Sequence, residues 1–377
     1  MTVHRLKFPV MFSFGFGQLA EAIKNSGFNV FLLFYYNQVL GVSATLTSVA
    51  LAIALMFDAV SDPLVGSFSD KLRTRFGRRH PLILMAALPL GLSFYCLFNP
   101  PSMTSDWAHF IWLLGFAILV RASLTLYHVP HLALGAELAE DYHQRSTLYA
   151  MSTFFGFLGG ALFVPVSYTL FFPTTDVFNP ALLNKAAYQP WSLMAAGLMI
   201  FAIVVCVIGT RREIPRLVQR VDSDARQLMR VSALIQEFRE AFSNRSFRAI
   251  FFGMMLSTLV LSVEGVFNPF MGFHFWGLTT EQLRWIPLAQ LVGLFLSLSL
   301  LPIMTRWLDK KRTLIVSALL VILNINIPIV LSLSGVSWFP AQGSQSLLIV
   351  LILSGLVTAV LAPIIFATLN SMFADIA

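Results

Sequence analysis

Stretches of roughly 20 or more mostly apolar residues recur along the whole chain, at about 9–36, 43–69, 80–99, 108–136, 146–171, 190–210, 247–275, 282–304, 313–335 and 346–374. A run of that length crosses the hydrocarbon core of a bilayer as a helix, and ten of them leave little of a 377-residue chain for anything else. In lipid every backbone donor and acceptor must be satisfied within the segment, which restricts such runs to α-helices. The expected fold class is therefore an all-α polytopic membrane protein, with the lipid bilayer as its solvent. Composition agrees, because 57% hydrophobic and 11% charged residues cannot keep the surface of a soluble domain wet. The first run is too long, and too interrupted by polar residues, to be a cleavable signal.

The formal charge of +7 would suggest a nucleic-acid partner in a soluble protein, but here the basic residues sit in short connections between spans, so no nucleic acid is expected. Arg5, Lys7, the cluster from Lys71 to Arg79, Arg145, the segment 211–245 and the cluster from Arg306 to Arg312 fall on one side; Lys185 and Arg284 fall on the other. The positive-inside rule then places the N-terminus in the cytoplasm of a multi-pass inner-membrane protein. Cys96 and Cys206 lie in apolar helical stretches without metal or redox spacing and read as core residues. Residues 211–246 form the one long charged connection and follow six spans. They divide the chain into an N-terminal six-helix bundle (1–210), a cytoplasmic connector (211–246) and a C-terminal bundle of four helices (247–377). The basic turn "SDKLRTRFGRRHPL" between spans two and three is echoed by "MTRWLDKKRTLI" between spans eight and nine, as two parallel halves related by an axis along the membrane normal require. A second half matching the first needs two further helices.

Charges inside the spans call for a separate explanation. Each aspartate at a helix centre costs about 2.5–3.5 kcal/mol on insertion scales, and "FDAVSDPLVGS" carries two, Asp58 and Asp62, on one helical face with Ser61 beside them. Two close carboxylates favour a small cation, Na⁺ or H⁺, between them; a salt bridge to a neighbouring helix is the other arrangement that would satisfy them. Span one carries Glu21, Lys24, Asn25 and Asn29 at helical spacing, and span four carries Arg121, Thr125 and His128, followed by Pro130, which is expected to break the helix where it lines a cavity. Glu264 and Asn268, followed by Pro269, are the matching pair on span seven. His128, His131 and Glu137 lack a third ligand at zinc-protein spacing, so no metal is expected beyond a possible Na⁺. No nucleophile elbow, phosphate loop or dinucleotide fingerprint is present, and neither an enzyme nor an organic cofactor is expected.

The run "FDAVSDPLVGSFSDKLRTRFGRRHPL", with "YHVPHLALGAELAEDYHQRSTLYA" and "FGFGQLAEAIKNSGFNVFLLFYYNQVLGVS", resembles the glycoside-pentoside-hexuronide:cation symporters of the major facilitator superfamily. The resemblance covers the chain to its end. It implies a twelve-helix major facilitator fold of two pseudo-symmetric bundles, of which ten helices are present here, with a solute cavity between them. Carried over residue by residue, the cation site falls on Asp58, Ser61, Asp62 and Thr125. Two carboxylate positions of the family's sugar site fall on Ala22 and His128, an arginine position on Thr153 and a stacking aromatic on Leu132. Loss of these acidic groups, and the presence of Lys24 and Arg121, favours an anionic solute such as a sugar acid.

The function expected is cation-coupled symport of a sugar or sugar acid by alternating access, by a monomer. Substrate is expected at Glu21, Lys24, Asn25, Arg121, His128, Glu264 and Asn268. A cytoplasmic gate is expected at Asp70, Arg75, Gly77, Arg78 and Arg79 with Lys310 and Lys311. Two other readings are a lysolipid symporter and a membrane sensor or scaffold that transports nothing.

Overall fold

Apolar spans of this length satisfy their own backbones, and the computed structural model, which describes residues 6–139, 142–221 and 242–374, is helical throughout its membrane-length segments. The first helix, α1, is Phe8–Ser26, followed by α2 (Ala44–Lys71), α3 (His80–Leu97), α4 (Asp106–Leu138), α5 (Tyr142–Leu170) and α6 (Tyr188–Thr210). A short helix, α7 (Ile214–Val221), begins the connector. The second half contributes α8 (Arg245–Phe270), α9 (Trp285–Leu333) and α10 (Gln345–Ala374). Most of the connector, residues 222–241, lies outside the described residues. Pro9 and Pro81 stand in the first turns of α1 and α3, where a missing N–H leaves no carbonyl unpaired.

Two expectations are corrected here. Pro130 does not break span four: α4 runs unbroken through it, as α2 does through Pro63. A proline removes one backbone bond, but neighbouring helices hold the remaining turns in line. The departure from regular α-helix comes instead in span one, whose continuation is two π-helical segments, Gly27–Leu32 and Tyr35–Val39. A π turn carries an extra residue and rotates the later part of the helix around its axis. Within the predicted four-residue stripe, Lys24 is buried whereas Asn25 and Asn29 are exposed, so its members do not share one environment.

The helix Trp285–Leu333 comprises two spans joined at Asp309, whose backbone (φ 63, ψ 161) is not helical. In a straight helix residues nine apart stand about 13.5 Å apart along the axis. Thr313 nevertheless donates its hydroxyl to the Met304 carbonyl at 3.0 Å, so the chain doubles back at this point. The reversal recovers spans eight and nine as read from the sequence. The corresponding basic turn of the first half, between α2 and α3, uses Gly77 at φ 80.

The described chain divides into two compact units, residues 1–225 and 226–377. In the first, α1 packs on α5 and α6, α3 on α4 and α6, and α2 on α4. Its core at one end is aromatic: Phe31, Phe94, Phe98, Phe172, Tyr35 and Tyr188 surround or adjoin the fully buried Trp191, whose indole N–H donates to Ser167 Oγ at 2.8 Å. Close approach of α3 to α6 depends on Gly91, where a Cβ would stand 2.6 Å from Ile200 Cδ1. In the second unit Ile250, Val321, Leu361, Ile364 and Leu369 form the core between α8, the second arm of α9 and α10.

Candidate functional site

A helical turn separates Asp58 from Asp62, and the packing of α2 against α4 brings both to the polar stripe of α4. The two carboxylates meet different partners there. Asp58 Oδ2 is ion-paired with Arg121 Nη1, and the Asp58 and Arg121 side chains are 28% and 12% exposed. Asp62 Oδ1 accepts the hydroxyl hydrogen of Thr125 at 2.8 Å, and Asp62 itself is not covered by protein. Buried Ser61 lies between them, with its Oγ 3.4 Å from Thr125 Oγ1. The second oxygen of Asp58, Oδ1, is buried and has no hydrogen-bond partner among the described residues.

Asp58 thus meets an interhelical salt bridge, the second of the two arrangements expected to satisfy the pair, while Asp62 meets a hydroxyl. Arg121, expected among the solute-binding residues, is placed on Asp58 because positions 58 and 121 face each other across the α2–α4 seam. Its guanidinium carbon also lies 5.4 Å from the centre of the Phe28 ring. Lys24 Nζ approaches the same ring at 4.7 Å and bonds Asn25 Oδ1 at 3.3 Å. Phe28, on the first π segment, is thus in cation–π contact with two fixed cations.

A second polar group lies beside the first. His128 Nδ1 is 2.8 Å from Glu21 Oε2, and Glu21 also accepts from Gln18 Nε2 and, at 3.5 Å, from Asn25 Nδ2. Gln18 in turn accepts from Ser152 on α5 at 3.1 Å. Glu21, Lys24, Asn25 and His128 thus belong to one network on α1 and α4. Sequence reasoning missed Gln18 and Phe28; Gln18 stands one turn before Glu21, so the stripe could have been extended back to it. Glu264 and Asn268 lie on α8 of the second unit, the former half-buried and the latter exposed.

His131 and Glu137 are drawn elsewhere. His131 is buried, stacks on Phe14 at 4.2 Å and places Nε2 3.0 Å from the Phe14 carbonyl. Glu137 Oε1 receives both Arg78 Nη2 and Arg79 Nε at 2.9 Å. Arg79, 7% exposed, also bonds Asp70 and Ser69. The basic turn is thereby tied to the ends of α2 and α4, and Arg216 of α7 adds a 2.7 Å bond to the Leu138 carbonyl. Gly77 supplies the left-handed turn between them. Arg75 takes no part in this lattice and lies over the ring of Phe76. Lys310 and Lys311 come directly after the reversal at Asp309 in the second unit. Glu137 and Arg216 were not among the residues expected at the gate, and neither carries a local pattern that marks it.

Eight helices long and apolar enough to cross a membrane among the described residues, a charged seam in the first unit and a basic turn repeated in each half leave the family to be decided by comparison. Residues 13–377 match the family described as MFS/sugar transport protein. The chain belongs to that family. An uncharacterized symporter of Synechocystis is 31% identical over 176 residues, which are 45% of this chain and 32% of that protein. A glucuronide carrier protein homolog of Escherichia coli is 24% identical over 323 residues, 84% of this chain and 66% of its own length. The chain thus spans less than two thirds of the length of these relatives. Among solved structures, a D-xylose–proton symporter superposes with a TM-score of 0.63 at 17% identity, covering 94% of this chain and 79% of that one. Such likeness shows the fold: this MFS/sugar transport family member has the major facilitator architecture and is a multi-pass membrane protein.

Proposed function

We propose that this chain is a cation-coupled symporter that moves a sugar or sugar acid across the cytoplasmic membrane by alternating access, with its N-terminus in the cytoplasm. The observation that supports this best is the membrane-embedded seam of Asp58, Asp62, Arg121 and Thr125 with its neighbour network of Glu21, Lys24 and His128. Burying so many charges in apolar spans is costly, and ionisable residues inside membrane spans mark paths for ions and solutes. The relatives named as a symporter and as a glucuronide carrier homolog support the same class.

The coupling cation, Na⁺ or H⁺, is taken at Asp58, Ser61, Asp62 and Thr125, and the solute at the Glu21–Lys24–Asn25–His128 face of the first unit; Glu264 and Asn268 are the second unit's own candidates for solute contact. Lys24 and His128 suit a carboxylate-bearing sugar. Asp70, Gly77, Arg78 and Arg79 are the first unit's cytoplasmic gate residues, and Lys310 and Lys311 those of the second. Binding of cation and solute favour each other reciprocally. An inward-negative potential contributes about 2.3 kcal/mol per charge per 100 mV, enough for roughly fiftyfold accumulation.

Counterflow in proteoliposomes, with free sugars, uronates, glucuronides and lysophosphatidylcholine as parallel substrates, tests this reading. Cation-stimulated exchange of a sugar or sugar acid, lost in Asp62→Asn, is expected. Exchange of the lysolipid alone would place the chain with lipid symporters. No exchange of any solute under any cation gradient would leave a sensor or scaffold.

A further inference from the structure

Symport by itself leaves Na⁺ and H⁺ equally open as the coupling ion; the charge arrangement around Asp58 separates them. Two carboxylates that share a Na⁺ need both their charges available and their oxygens convergent. Here Asp58 already faces a guanidinium. Arg121 lies on the adjoining helix, is held on one side by Asp58 Oδ2 and on the other by the Phe28 ring at 5.4 Å, and is 12% exposed. Lys24, 5% exposed, approaches the same ring at 4.7 Å and interacts electrostatically with both Asp58 and Arg121.

The charges that face this seam sort element by element. Helix α2 supplies Asp58 and Asp62; α4 supplies Arg121 and His128; α1 supplies Glu21 and Lys24. Glu21 is occupied by His128 and Gln18. The two aspartates then stand against the Arg121 guanidinium, which cannot give up its proton, with the Lys24 amine beside it. A Na⁺ at Asp58 would have to share that carboxylate with the guanidinium, in a setting that screens like-charge repulsion poorly.

We infer that Arg121 is a specificity-determining residue: its guanidinium fills, at Asp58, the place that a coupling Na⁺ would take, so the protein does not bind Na⁺ at this pair, and removal of the guanidinium opens a Na⁺ site. The buried, unpartnered Asp58 Oδ1, Ser61 Oγ and Thr125 Oγ1 are the oxygens that such a site would use, with Asp62. This rests on the symport reading only for its physiological meaning; ion binding itself needs no solute.

The test is ion-specific stabilisation of the full-length protein, purified in detergent. Thermal unfolding midpoints are measured in NaCl and LiCl against choline chloride at equal ionic strength and fixed pH, since an ion that binds only the folded state raises the midpoint saturably. Wild type is expected to show no difference between Na⁺ and choline. Arg121→Gln is expected to gain a saturable Na⁺-dependent rise, and Asp58→Asn in that background to remove it. Arg121→Lys, which keeps the charge, is expected to stay silent to Na⁺, and it decides the matter together with wild type if the glutamine variant does not fold. A saturable Na⁺-specific rise in wild type or in Arg121→Lys overturns the inference, as does a folded Arg121→Gln without one. Those outcomes leave symport untouched, whereas failure of counterflow with every solute removes symport and leaves the ion-binding result standing.

Discussion

One helical turn apart on α2, Asp58 and Asp62 differ in partner and in cover: a guanidinium meets the first, a threonine hydroxyl the second. The hydrogen bond from Thr125 to Asp62 is charge-assisted, a class that contributes about 1.5–3 kcal/mol when buried. Asp62 is not covered by protein, so the contribution here belongs near about 1 kcal/mol. A double-mutant cycle of Thr125→Val and Asp62→Ala should return a coupling of that size in thermal unfolding. A coupling indistinguishable from zero would mean that the hydroxyl and carboxylate do not meet. Periodicity placed both aspartates on one face of their helix, and the structure packs that face on α4. Periodicity did not choose between an ion and Arg121 as the partner of Asp58, because that choice depends on which residue of α4 stands level with it.

At the scale of elements, the turn 72–79 is held by charge rather than by apolar cover. Glu137 accepts two guanidiniums on one oxygen, and Arg79 is the more buried of the two. Glu137→Ala should lower stability by about 2 kcal/mol, since it leaves a buried arginine with fewer acceptors. Arg79→Ala should cost more than Arg78→Ala, whose side chain is 26% exposed; equal losses in thermal unfolding would contradict the lattice. In the second half the reversal at Asp309 puts a residue with a Cβ at φ 63, where L side chains are strained. Asp309→Gly should therefore stabilise the protein by about 1 kcal/mol, read as a higher unfolding midpoint. A neutral or negative effect would show that the aspartate side chain itself holds the turn. Both basic turns were legible from composition. Their anchors were not, because Glu137, Ser69 and Arg216 come from other segments and become partners only when α2, α4 and α7 converge.

For the whole molecule, the distribution of Lys and Arg between alternate connections predicts one orientation in the membrane. In a background with Cys96 and Cys206 replaced, Thr74→Cys should react with an impermeant thiol reagent only from the cytoplasmic face. Asp176→Cys should react only from the opposite face. Reversed labelling would invert the topology and, with it, the direction assigned to the gate.

Local rules govern the part that the amino-acid sequence determined by itself. Spans come from apolar length, an expected orientation from the basic connections, an expected two-part organisation from the charged segment at 211–246, and the polar stripes of Asp58 with Asp62 and of Arg121, Thr125 and His128 from helical periodicity. Only the tertiary structure decided how those faces are matched. Span one turns partly π-helical after Ser26, α4 continues unbroken through Pro130, Arg121 lies on Asp58, and Glu137 receives the arginines of the turn. The reason is physical: the register of one helix against another is set by the packing of side chains distant in sequence, and an ion pair between helices exists only once that register is fixed.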